Sequence, residues 1–504
     1  MSEQSKKSVA ARPAETSLDI SQAELQELAA RLTELVTEYF TSVTAKPVFP
    51  QTSGGMTTTS VGASLPLNGE PLDALISDCR TIIENSRHNG HPRFFGYVAS
   101  PATAPGAFAD LIASTLNANV TSWRSGPAAT EIEHTVINWL ASLIGYGSSE
   151  LPAHGLLTSG GSMANLTALL IAHRDKSSAN TAASGLWNSA PMTIYASDQI
   201  HMSIPKAADI LGLGRAQVRL IPTDDGLRMN VDLLRQTIAA DTRNGLKPFC
   251  VVGSAGTVNT GAVDPLAAIA AVAKEFNLWF HIDGAYGALA ALDKTKRPLF
   301  HGLELADSIS LDPHKWLYVP LDSGCLLFRD AAKARAAFGS DRADYIKIHE
   351  QNVDEAFAFW DYGPELSRRF RALKIWLTLR YYGAARIAEA ISEDNAVAAY
   401  LAERVSAAKD FALLAKPTLS ICCFRYVPTA LQANISEAAD VQLEQLNTNI
   451  MNLVQRGGRA YLSSATVNGK FALRACITNF RTSRADIDQT LEIVREAAKE
   501  LAAD

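Results

Sequence analysis

From His154 onward, short apolar runs alternate with stretches of helical periodicity, and this alternation constrains the fold more than any other feature of the chain. Leu156-Leu-Thr158, Thr193 to Asp198, Pro248 to Gly253 and Leu278 to Asp283 each read as a buried strand. Helical patterns fall between them, over Met163 to Arg174 and Asp264 to Phe276. Strands joined through helices return parallel to one another, with right-handed crossovers. The expected fold class is therefore α/β, a mainly parallel sheet flanked by helices.

Three pieces of sequence mark a site on such a sheet. Asp283 closes an apolar strand and is followed by the small residues Gly284-Ala-Tyr-Gly287. Lys315 stands between apolar runs, with His314 before it and Trp316 after it. Burial there is expected to lower its pKa and expose the lone pair that Schiff-base chemistry needs. From that residue alone, a lysine with a buried stem and a wet head fits as well. Pyridoxal phosphate needs a lysine for its aldehyde and a carboxylate to keep its pyridine nitrogen protonated. Asp283 and Lys315 in one crevice would supply both. The third piece is Ser159-Gly-Gly-Ser162, where strand, glycine turn and helix N-terminus together make an anion site. It lacks the spacing of a Walker loop or a dinucleotide fingerprint, and a plain tight turn fits the same residues. Beside Lys315 and Asp283, Gly161 and Ser162 become the best phosphate cradle.

Four motifs recur in order: Gly90-His-Pro-Arg-Phe-Phe95, Ser197-Asp-Gln-Ile-His201, His281-Ile-Asp283-Gly-Ala-Tyr286 and Asp312-Pro-His-Lys-Trp316. In them the chain resembles the group II pyridoxal-phosphate-dependent decarboxylases, of the aromatic-L-amino-acid decarboxylase type, from about Asp19 to the C-terminus. The resemblance implies the type I pyridoxal-phosphate fold, with an N-terminal helical segment packed across a homodimer and a small C-terminal α+β domain. It implies pyridoxal 5'-phosphate on Lys315, Asp283 at the pyridine nitrogen, and His201 stacked on the ring near the substrate carboxylate. His314 and Thr257 would add cofactor contacts. Asp312 stands where the family usually has Asn, and its carboxylate cannot donate to a phosphate unless protonated or bridged by water. Tyr97, Val98, Ser100 and Thr121 would line the substrate side. Val98, Ala99, Asn119 and Thr121 stand where aromatic-specific relatives often carry bulkier apolar residues. Tyr345 matches the family's catalytic loop tyrosine, within a polar stretch from Gly339 to Glu350 read as a lid. The implied activity is decarboxylation of an aromatic L-amino acid to the amine and CO2. Alternatives are an aldehyde-forming synthase on the same scaffold and a decarboxylase of a non-aromatic amino acid. Aldehyde-forming relatives typically carry Phe at position 345, so Tyr345 favours the amine.

Other features bound the rest. A chain of 504 residues divides into two or three domains, read here as a leader over 1–17, a helical dimerisation segment over 18–100, a large cofactor domain over 101–384 and a small domain over 385–504. Ser21-Gln-Ala-Glu24 has capping-box spacing ahead of Leu25, Leu28, Leu32, Leu35, Val36 and Tyr39. Thr52 to Pro66 reads as a loop, Leu72 to Ser86 as a second helix, and Trp360 to Tyr382 as a helix basic on one face. A net charge of −6 gives no footprint for nucleic acid or an anionic membrane. Six cysteines without CxxC spacing point to a reduced, cytoplasmic setting. His88 and His91 lack the companions of a metal site, and none is expected.

Overall fold

The computed structural model describes residues 18–62, 64–147, 152–177, 181–186, 190–339, 355–431 and 437–503. Seven strands form the main sheet: β1 (His154–Thr158), β2 (Met192–Ser197), β3 (Val218–Ile221), β4 (Lys247–Ser254), β5 (Trp279–Asp283), β6 (Ser308–Leu311) and β7 (Gly324–Phe328). Their spatial order is β1-β7-β6-β5-β4-β2-β3. The run from β3 through β2, β4 and β5 to β6 is parallel, while β7 is antiparallel to both β6 and β1. Every residue of β2, β5, β6 and β7 is buried, as a sheet covered by helices on both faces requires. Register places Ser254, Asp283 and Ser310 side by side at the carboxyl ends of β4, β5 and β6. Three chain-distant polar residues thus meet in one row.

A second, antiparallel sheet holds β8 (Phe411–Ala415), β9 (Ile421–Tyr426), β10 (Ser463–Val467) and β11 (Lys470–Cys476), in the order β10-β11-β9-β8. Phe424, Leu473, Ile487 and Val494 belong to its own apolar core. The helix Ala372–Ala407 runs from the main apolar core (Ile375, Leu379) into that of the second sheet (Val397, Leu401) and breaks at Gly383, whose φ of 76° and ψ of 150° lie outside helical space. That break falls close to the boundary drawn from sequence at 384/385.

The N-terminal helix Gln22–Ser42 starts on the expected capping box: Glu24 N donates to Ser21 Oγ at 3.2 Å, and Ser21 N donates to Glu24 Oε2 at 2.8 Å. Two expectations fail locally. Within Thr52 to Pro66 the segment Gly54–Val61 is helical, because Ser53 Oγ caps it by accepting from Met56 N at 3.3 Å. Over Trp360 to Tyr382 the helix begins only at Ala372. Pro364 disfavours helical geometry at Gly363, leaving a short 3-10 turn at Phe359–Asp361.

One ion pair ties this irregular stretch to the sheet. Arg368 and Glu133 are both almost wholly buried and pair directly. Glu133 Oε1 also accepts from Leu157 N at 2.9 Å, and Arg368 donates to Val120 O at 2.6 Å and Leu157 O at 2.9 Å. Removing one partner strands the other charge. Glu133→Ala should therefore cost about 3–5 kcal/mol, read as a lower thermal midpoint and a lower urea midpoint than wild type.

Candidate active site

A cavity of about 600 Å³ opens at the carboxyl ends of β4, β5 and β6. Lys315, Asp283, His201, Gly161, Ser162, Thr257, His314, Asp312, Tyr97 and Val98 all line it. Ser100 instead lines an adjoining cavity of about 300 Å³, which shares Val98, His314 and Leu321 with the first. There its Oγ donates to His314 O at 2.9 Å. Thr121 is buried away from the main cavity, its carbonyl accepting from Phe359 N at 2.9 Å. Tyr345 and most of the polar stretch around it lie outside the described residues. Arg124 approaches Glu355 of its own chain at 3.9 Å.

Lys315 sits on a one-turn helix, Pro313–Trp316, that follows β6 directly. Its Nζ lies 2.9 Å from Asp312 Oδ2. Burial pulls the ammonium pKa down, but the Asp312 charge and hydrogen bond, with Asp283 behind them, outweigh it and leave the pKa raised. This corrects the expectation that burial lowers it. The sequence placed the lysine among apolar neighbours, and the decisive neighbour is the carboxylate three residues earlier.

Asp283 accepts from neutral donors on three sides. Asn165 Nδ2 reaches Oδ2 at 3.1 Å; Ser310 Oγ and Ala285 N each reach Oδ1 at 3.2 Å. His201 precedes the helix Ser203–Ile210, and its Nδ1 accepts from Ser203 N at 3.2 Å. Burial lowers the pKa of this imidazole, and the nearby Asp283 only partly offsets that. Thr257 Oγ1 accepts from Ala262 N at 3.1 Å, holding the β4–helix turn. His314 Nδ1 donates to Ser323 O at 2.7 Å, and its Nε2 lies 3.7 Å from Asp312 Oδ2.

The helix Gly161–Lys176 points its N-terminus into the cavity, with Ser159 to Met163 on the lining. At Gly161 a Cβ would come within 2.8 Å of Ala285 Cβ and 3.0 Å of Asp312 Oδ2, so only glycine leaves the amide end open. Asp312 Oδ1 is buried with no hydrogen-bond partner. An orphaned acceptor beside helix amides fits a phosphate that carries one hydroxyl, which would donate to it. The residues present therefore fit pyridoxal phosphate: amides for the phosphate, Lys315 for the aldehyde, Asp283 for the ring nitrogen.

Sequence reasoning missed Asn165, Ser203 and Arg474, which also line the cavity. Arg474 is a lone arginine within the apolar strand β11, the one signal that could have flagged it. Its guanidinium donates to Tyr97 O and Val258 O at 2.7 Å each and to Ser463 Oγ at 3.2 Å. It thereby clips the second sheet to the cavity rim. Asn165 and Ser203 carried no sequence signal, because their roles depend on contacts across the fold.

Comparison with known proteins gives a consistent picture. The pyridoxal-dependent decarboxylase conserved domain matches residues 56–427. An aromatic-L-amino-acid decarboxylase of Bacillus atrophaeus is 35% identical over 485 residues, 96% of this chain and 97% of that protein. A phenylacetaldehyde synthase of Petunia hybrida is 30% identical, over 93% of this chain and 92% of its own. The crystal structure of Oryza sativa TDC with PLP and tryptamine superposes with a TM-score of 0.89 at 28% identity, over 96% of this chain and 100% of that one.

Behind Lys315, Asp394 anchors the loop. Its Oδ2 accepts from Trp316 Nε1 at 2.8 Å and Tyr318 OH at 2.7 Å, and its Oδ1 from Asn479 N at 3.3 Å. Burial pushes its pKa up to about 7 despite these donors. An unfolded aspartate titrates near ~3.9, so between there and about 7 the folded state binds the extra proton. Stability linked to Asp394 thus falls as pH rises through that window and is flat above it. Asp394→Asn removes the titration. Urea midpoints should move in the variant's favour, relative to wild type, as pH rises from about 4 to about 7; a difference constant with pH would refute the linkage.

Proposed function

The chain belongs to the pyridoxal-dependent decarboxylase family and is a pyridoxal-phosphate-dependent amino-acid decarboxylase, and from that premise we propose that it converts an aromatic L-amino acid to its amine and CO2. The observation that carries the reading is the cavity itself, where Lys315, Asp283, His201 and the Gly161 helix end converge.

Bound pyridoxal phosphate supplies an aldehyde that condenses with amines and a protonated pyridine that takes up the electron pair left when CO2 departs. The chain's residues do the rest. Lys315 would hold the cofactor through its aldehyde and would yield that position to the substrate amine. Loss of the Lys315 charge frees Asp312 from its ion pair, and Asp312 then serves the phosphate through its orphaned oxygen. Asp283 keeps the proton on the ring nitrogen, and His201 covers the ring. Arg474 is the cation, besides Lys315, on the described lining, and one of its Nη2 hydrogens is not used by its carbonyl contacts; it meets the α-carboxylate. Both cations are thus engaged, leaving no charge partner for an acidic side chain among the described residues lining this cavity. Tyr97, Val98 and Leu321 offer ring and apolar surface instead. The aromatic decarboxylases among the relatives support this choice. The overall change consumes one proton at Cα, which we assign to Tyr345 from its sequence context.

The test is to incubate the cofactor-loaded protein with the proteinogenic amino acids and to identify products by mass spectrometry, with peroxide measured alongside. Amine from an aromatic substrate, abolished in Lys315→Ala, is expected. Stoichiometric aldehyde and peroxide would establish instead the synthase reading that the aldehyde-forming relatives support. Amine from acidic substrates alone would overturn the aromatic assignment.

We also propose a homodimer built on the helical segment 18–100, in a cytoplasmic protein. Of the 21 residues of Gln22–Ser42 only Leu35 is buried. Leu25, Leu32 and Val36 on that helix, and Phe108, Leu111, Ile112 and Leu116 on Ala104–Leu116, remain exposed. Apolar area of that extent calls for a partner surface. The six cysteines, all free and five of them buried, support a reducing compartment. Sedimentation should give twice the chain mass of 54.1 kDa; a fully active monomer would contradict the dimer.

A further inference from the structure

A continuous chain of buried hydrogen bonds runs from β5 to both Asp283 and His201, and its direction is fixed at each end. Trp279 Nε1, which can only donate, reaches Ser308 Oγ at 2.9 Å. Ser308 Oγ lies 2.8 Å from His281 Nδ1, and His281 Nε2 lies 2.9 Å from Asn165 Oδ1. The two hydrogens of Asn165 Nδ2 divide between Asp283 Oδ2 at 3.1 Å and Ser203 Oγ at 2.9 Å. Ser203 Oγ in turn lies 2.9 Å from His201 Nδ1. His281, Asn165, Ser203 and Ser308 are all buried, and each link is made between protein groups.

One assignment of protons follows from the indole donor at one end, the carboxylate acceptor at the other and a neutral imidazole between them. Burial keeps the His281 ring neutral, lowering its pKa to about 4; with Nδ1 as its acceptor, the Ser308 hydroxyl, which takes the indole N–H on a lone pair, donates to it. His281 Nε2 then donates to Asn165 Oδ1. That bond turns the amide so that its NH2 faces Asp283 and Ser203. The reverse orientation would set the amide oxygen against a carboxylate. Ser203, having received the amide hydrogen, donates to His201 Nδ1, which also accepts from Ser203 N at 3.2 Å. His201 is left as the Nε2–H tautomer.

We infer that Asn165 is a positioning residue that, through a single amide, holds Asp283 as an all-acceptor carboxylate and fixes the tautomer of His201. Two consequences follow. Because the group behind Asp283 is a neutral imidazole acting through an amide, no charged hydrogen-bond donor among the described residues competes with the pyridine N–H for that carboxylate. Because the same NH2 serves Ser203, the side chain over the ring and the side chain at the ring nitrogen are set in concert. The inference rests on the reading of Asp283 as the partner of the ring nitrogen.

The test uses two variants, Asn165→Leu, close in shape to the amide, and Ser203→Ala, which cuts only the arm to His201. Nitrogen NMR of histidine-labelled protein without cofactor reads His201. Pyridoxal phosphate labelled at its ring nitrogen, bound to the full chain, reads the Asp283 arm. Wild type should show His201 as the Nε2–H form with a hydrogen-bonded Nδ1, and a protonated ring nitrogen. Asn165→Leu should move the ring-nitrogen signal toward its unprotonated position and the His201 Nδ1 signal toward an unbonded nitrogen. Ser203→Ala should move only His201. Wild-type signals for both nitrogens in folded Asn165→Leu would overturn the inference. So would an unmoved His201 in Ser203→Ala, which decides the matter by itself if Asn165→Leu does not fold. His201 is read without cofactor, so this result stands or falls separately from the role of Asp283 in turnover.

Discussion

A carboxylate at the end of a buried parallel strand has to be surrounded by donors, and most of the site answers to that requirement at Asp283. An uncompensated charge there would be costly in so dry a position. The compensation comes from one local donor, Ala285 N of the turn that follows, and two that packing brings in, Ser310 from the neighbouring strand and Asn165 from the crossover helix. The same helix presents its N-terminus to the cavity through Gly161. One helix placement therefore serves two ends of the cavity, the Asp283 carboxylate and the glycine turn. Any shift of that helix would degrade both.

The lysine is governed by a second balance. Its burial and its pairing with Asp312 act in opposite directions, and the pairing wins. A lysine held charged by its own loop is a poor nucleophile until the ion pair opens. Loss of that charge would free Asp312 Oδ2 beside the Gly161 helix end. Behind the loop, Tyr286 stacks on Trp316 with ring centroids 5.0 Å apart, and Asp394 gathers Trp316, Tyr318 and Asn479. The loop is fixed from the side away from the cavity, and its fixing point belongs partly to the second sheet.

That dependence extends to the rim. Arg474 of β11 grips the carbonyls of Tyr97 and Val258, so the N-terminal segment, the main sheet and the second sheet meet at one guanidinium. Tyr97 is held at a φ of 58°, a conformation that side chains seldom adopt without surrounding contacts. The Tyr97 side of the cavity is consequently a junction of three parts of the chain, whereas the Asp283 side belongs to the main sheet.

By itself the sequence determined the strand–helix alternation, the strand-end aspartate, the glycine turn, the loop lysine and the capping box at Ser21. Each of these is a local pattern, set by burial period, backbone freedom or a side chain reaching its own backbone within a few residues. It also carried Tyr345, whose place lies outside the described residues. What the tertiary structure decided was of another kind: that Asp312 raises the pKa of Lys315, that Thr121 lies off the cavity while Arg474 lies on it, and that Asn165 joins His281 to Asp283 and His201. Asn165 and Asp283 are separated by 118 positions, and Arg474 and Tyr97 by 377. Hydrogen bonds and charges act over a few ångströms of space, and no spacing along a chain encodes which distant residues packing will bring within that reach.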